Sequence, residues 1–166
     1  MSHQPTMWPN HKKERYDLLA KQTASLIEGC PPISALSNAA ALLWEALDDI
    51  NWAGFYLAKG ETLYLGPFQG KTACTVIPFG RGVCGTAAAS RRIQLVEDVH
   101  QFPGHIACDS ASNSEIVLPL IVEGALVGVL DIDSPLLSRF DAMDAEGLTS
   151  ICRALTENID WSDGLL

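Results

Sequence analysis

No apolar run in this sequence is longer than a strand, and its first residues, MSHQPTMWPNHKKERYDLL, lack the hydrophobic stretch that opens a secretory signal. A membrane-spanning helix needs about 20 apolar residues and a signal peptide a core of about 7–15. Neither is present, and a cytoplasmic location is expected. Positive charge is also scarce: 11 lysines and arginines stand against 20 aspartates and glutamates, a net charge of −9. That balance opposes phosphate backbones and anionic lipid, so neither nucleic acid nor membrane is an expected partner. Internal repeats and low-complexity tracts are missing. The five cysteines are odd in number and include no close Cys-x-x-Cys pair, which argues against both a permanent disulfide framework and a zinc knuckle.

What is there suits one domain over 1–166, with 1–10 as a flexible tail. A chain of 166 residues, 48% of them hydrophobic, can bury roughly 70% of the surface it exposes when unfolded. Tyr16, Leu19, Ala20, Thr23 and Ile27 recur at spacings of three and four, which predicts an amphipathic helix over 11–28. Gly29 and Pro31-Pro32 end it. Ser34 then caps a second helix with Leu36, Ala40, Leu43 and Leu47 on one stripe. Residues 51–57 (NWAGFYL) and 62–65 read as a hairpin, 74–77 as a short strand stopped by Pro78, and GRGVCGTAAAS as a glycine-rich entry into a helix. A short strand at 93–96 precedes the long aperiodic stretch 98–114, whose length points to function or to disorder. Two apolar runs, 115–122 and 125–133, flank Glu123-Gly124. From Asp141 a last helix carries Met143, Leu148, Ile151, Leu155 and Ile159. This order implies an α+β fold, an antiparallel sheet with segregated helices.

Several residues carry chemistry. Alternation puts Trp52, Gly54 and Tyr56 on one strand face, with a gap at the glycine for a small apolar group, unless the rings merely pack on a helix. Asp131 and Asp133 also share a face, and where Glu115 falls depends on the hairpin. A two-residue loop sets it opposite Ile132, on the other face; the favoured three-residue loop ending at Gly124 sets it opposite Asp131 and gathers the carboxylates. Such a cluster raises its own pKa values, so one member can act as an acid while another binds an ammonium. Solvated capping aspartates are the plainer alternative. Cys30 and Cys152 read as packing. Cys84 falls in the first turn of a helix, where free amides and the dipole favour a thiolate and can also hold a carboxylate. Cys108 lies in the long loop, where a thiol can attack or resolve. Zinc on Cys74, Cys84 and Cys108, with His100 or His105, is a competing use, but gaps of nine and twenty-three residues match no zinc motif and no metal is expected.

Through NWAGFYL, LGPFQGKTACTVIPFGRGVCGTAA, VHQFPGHIACDSASNSEIVLPL and GVLDIDSP, the chain from about Tyr16 to Asn158 resembles the free methionine-(R)-sulfoxide reductases, stand-alone GAF-domain enzymes. The resemblance implies about six antiparallel strands with helices packed against them and a pocket closed over by the Cys108 loop. It implies free methionine-R-sulfoxide as substrate, thioredoxin as reductant and no cofactor, with a homodimer admitted. It makes Cys108 the attacking thiolate, Cys74 the resolving thiol and Cys84 a third thiol able to join disulfide exchange. Trp52 and Tyr56 become the wall around the methyl-sulfinyl end, and Glu115, Asp131 and Asp133 the polar contacts to substrate. The rival is a non-catalytic GAF sensor of a small ligand, a kind of module that usually sits beside an output domain.

Overall fold

Proline and helix periodicity set the first two elements. Tyr16, Leu19, Thr23 and Ile27 form the buried stripe of Lys12–Ile27 (α1), as the spacing predicts. The next helix, Pro32–Ala46 (α2), starts two residues before the expected cap: Pro31 is the N-cap and Ser34 lies inside the first turn. Proline at the first helical position has its φ preset and lacks an N–H that would find no partner there, so the Pro31-Pro32 pair outcompetes the serine. A computed structural model describes residues 7–105, 111–162 and Leu165.

The strands Trp52–Lys59 (β1), Thr62–Gly70 (β2), Val76–Pro78 (β3), Gln94–Val96 (β4), Ser114–Val122 (β5) and Ala125–Ser134 (β6) form one sheet in the order β3-β2-β1-β6-β5-β4. Every neighbouring pair is antiparallel. Gly82–Ser90 (α3) follows β3, and Ala142–Asn158 (α4) is the last helix among the described residues. The fold is α+β with segregated helices, as expected. Two boundaries move: β2 continues past Leu65 to Gly70, and β3 begins at Val76, leaving Cys74 ahead of it.

Period-two alternation sorts the side chains onto two faces. Ala53, Phe55, Leu57, Ile116, Leu118, Leu120, Leu130 and Ile132 pack with α1, α2 and α4 in the main core. Trp52, Tyr56, Val117 and Val129 pack beneath α3. Asp141 caps α4 by accepting from the N–H groups of Met143 and Asp144, and the Asp144 carboxylate accepts from Asp141 N–H at 2.9 Å in return. Buried Asp144 also accepts from Tyr16 Oη (2.7 Å) and pairs with Lys12 Nζ (2.6 Å), tying α1 to α4. Leu148, Ile151 and Leu155 are buried as expected, whereas Met143 is exposed.

The β5–β6 hairpin corrects the expected register. Its loop has two residues, Glu123 and Gly124, at φ 50° and 80°, with Val122 opposite Ala125. Two successive positive φ values define the type I′ turn favoured between twisted strands, and that preference outweighs the three-residue loop. A two-residue loop by itself would place Glu115 opposite Ile132. The pairing instead shifts by one between Ile121–Leu126 and Leu120–Gly128, so Val127 is an extra residue and Glu115 faces Asp133. The bulge, not the loop length, brings the carboxylates to one face.

Candidate active site

Four elements converge on a cavity over the α3 face of the sheet. In register across β1, β6 and β5, Trp52 sits beside Asp133 and Asp133 beside Glu115, with Gly54 beside Asp131 one pleat further on. These side chains, together with Tyr56, Cys84, Arg81, His105 and the start of α3, line the cavity. Trp52, Tyr56, Cys84, Glu115, Asp131 and Asp133, singled out in the sequence, are therefore together. Cys74 is disulfide-bonded, and Cys30, Cys84 and Cys152 are free thiols. Cys108 lies outside the described residues.

The acids are deeply placed. Glu115 is 7% exposed and Asp131 5%. Burial pushes Glu115 well above the ordinary carboxyl range, and the nearby charges of Asp131 and Asp133 push it further. Burial also raises Asp131, partly opposed by hydrogen bonds with Glu115, Cys84 and Asp133. Asp131 Oδ1 meets no hydrogen-bond donor among the described residues. Such a site holds a proton on one carboxyl at neutral pH and keeps an acceptor for an incoming cation.

Cys84 departs from expectation. It does stand in the first turn of α3, but its Sγ is buried 3.9 Å from Glu115 Oε2. Burial, then the charges of Asp131 and Glu115, raise the thiol well above its usual value. The helix dipole that would favour a thiolate is outweighed by desolvation and two acids at contact range, so Cys84 is a neutral thiol here. The amides at the same helix start remain suited to an anion. No side chain caps α3, and the ladder begins with Gly85 N–H to Arg81 O at 2.9 Å, leaving Gly82, Val83 and Cys84 ahead of it at the cavity wall.

The aromatic wall also differs in detail. The expected gap at Gly54 is filled: a Cβ there would lie 2.3 Å from Phe68 Cβ. Phe68 stacks on Trp52 at 5.1 Å between centroids, and Trp52 on Tyr56 at 5.8 Å. Phe68 was hidden because β2 reads as ending at Leu65, before Gly66-Pro67. Both ring ends are occupied by the segment leading to Cys74: Trp52 Nε1 donates to Lys71 O (3.1 Å) and Tyr56 Oη to Cys74 O (3.0 Å).

Among the described residues, Cys84, Glu115 and Asp131 form a group whose ligating atoms lie within 4.8 Å of one another, close enough to hold a metal ion. It is not the cysteine-histidine set weighed from the sequence. His105 lines the cavity and lies 6.4 Å from His100, ring centroid to centroid, and burial followed by the His100 charge lowers its pKa. No helix among the described residues is long and apolar enough to cross a membrane.

The chain is similar to known proteins over most of its length. The GAF domain family matches residues 35–160. The free methionine-R-sulfoxide reductase of Escherichia coli is 53% identical over 154 residues, 92% of this chain and 93% of that one. The chain belongs to the free methionine-R-sulfoxide reductase family. In structure it is similar to the reductase of Neisseria meningitidis in complex with its substrate, at TM-score 0.92 and 41% identity over 98% of each chain. It is likewise similar to fRMsr of Staphylococcus aureus in complex with substrate, at TM-score 0.85 and 51% identity, over 93% of this chain and 100% of that one. These family members share the fold beyond the GAF match, which leaves α1 outside.

Proposed function

We propose that this protein reduces free L-methionine-(R)-sulfoxide to methionine. One observation carries the reading: buried carboxylates and an uncapped helix start meet at Cys84, beside two stacked aromatic rings. An α-amino acid presents its ammonium and carboxylate on adjacent atoms and needs that pairing of opposite poles. A residue inside a peptide has neither charge and would leave Asp131 unmatched. The aromatic faces supply an apolar wall for the methyl-sulfinyl end. Family membership supports the same substrate.

In the mechanism, the Cys108 thiolate attacks the sulfoxide sulfur. A sulfoxide oxygen leaves poorly until protonated, and Glu115, its proton held by burial and two neighbouring acids, is the acid for it. Oxygen passes to the cysteine, giving methionine and a Cys108 sulfenic acid. Cys74 condenses with it to a disulfide and one water, and the dithiol of thioredoxin reduces that disulfide by exchange. The disulfide on Cys74 fits its part in this cycle. Cys84 stands by as a neutral third thiol for exchange, and the cytoplasm, which keeps thiols reduced, suits the cycle. In a single-turnover test without reductant, the reduced protein and Cys74→Ser each release one methionine per chain, and Cys108→Ser releases none. No methionine from the unmodified protein overturns the proposed activity, and the reverse pattern between the two variants reverses the roles of the two cysteines.

A further inference from the structure

We propose that Arg81 confers selectivity for the free amino acid by pairing with the substrate α-carboxylate, an inference that rests on the cavity being the site for free methionine sulfoxide. Arg81 is the one lysine or arginine lining the cavity among the described residues. Its backbone is fixed at both ends of the peptide unit: its N–H donates to Pro78 O (3.2 Å) and its carbonyl accepts from Gly85 N–H (2.9 Å). Gly80 and Gly82, at φ 87° and 60°, turn the chain on either side of it. The exposed guanidinium has no hydrogen bond or ion pair to the described residues and can turn into the cavity that Arg81 lines.

The placement is unfavourable unless an anion joins it. Arg81 is the N-cap of α3, and a cation there is repelled by the positive end of the helix dipole. A carboxylate between the guanidinium and the amides of Gly82, Val83 and Cys84 converts that repulsion into two attractions. The acids that receive the ammonium are adjacent, since Cys84 Sγ lies 3.9 Å from Glu115 Oε2. The cavity is then a dipolar socket, anionic on β5 and β6 and cationic at α3.

The test compares steady-state turnover of free L-methionine-(R)-sulfoxide with that of its α-amide, which keeps the ammonium and replaces the carboxylate by a neutral group. For Arg81→Ala, KM for the free amino acid rises about tenfold with kcat within about twofold, the scale of one charge-assisted bond at a partly solvated site. kcat/KM for the amide stays unchanged, so discrimination between the two falls about tenfold, and Arg81→Lys recovers part of it. An unchanged KM for the free amino acid, or an equal loss on both substrates, overturns the role of Arg81. Absence of turnover of either substrate by the unmodified protein overturns the underlying reading of the site instead.

Discussion

The two faces of the sheet are made by the same strands one residue out of phase, and they meet opposite demands. On β1, Ala53, Phe55 and Leu57 are 0%, 0% and 4% exposed against α1, α2 and α4, an apolar layer to which β1 contributes no ionisable group. One position along, Trp52, Gly54 and Tyr56 turn to α3 and share their face with Glu115, Asp131, Asp133 and Cys84. Stability is concentrated on the first face, and the second holds acids that are costly to bury. The burden of a charged site is carried by a core that never touches it.

Mutation can break that division from either side. Phe55→Ala leaves a void in the main core and should lower stability by about 3–5 kcal/mol, a fall in Tm on the order of 10 °C for a chain of this size. Thermal unfolding measures the loss, and turnover per folded molecule should persist below the new transition. Glu115→Gln should do the opposite, lowering kcat about 100-fold, as loss of a general acid does, while raising Tm at pH 7 by about 2–4 °C. The sign follows from linkage. Glu115 is raised in the fold, so the folded state holds a proton that the unfolded chain releases near pH 4.3. Stability therefore declines as pH rises from there through the raised value, and the glutamine variant flattens that part of the stability curve.

Much of this architecture could be read from residue pattern. Helix periodicity located α1 and α4 because their buried stripes are strong, and alternation assigned Trp52 and Tyr56, and Asp131 and Asp133, to shared faces. Three features escaped for physical reasons. The bulge at Val127 changes the register by one residue; Gly128 beside it is the one local sign of a break, and only cross-strand pairing reveals the shift. The acidity of Cys84 was misjudged because the dipole is local in sequence, whereas what outweighs it, burial first and then the acids of β5 and β6, depends on the tertiary fold. Phe68 stayed hidden behind Gly66-Pro67, which reads as a strand end yet lies inside β2.

Substrate choice is the property that most directly distinguishes this site. With thioredoxin, thioredoxin reductase and NADPH supplied, NADPH oxidation should follow addition of free L-methionine-(R)-sulfoxide, and the free S epimer and peptide-bound R-sulfoxide should give background rates. Absence of NADPH oxidation with the free R epimer, or equal rates with the peptide-bound form, contradicts that choice.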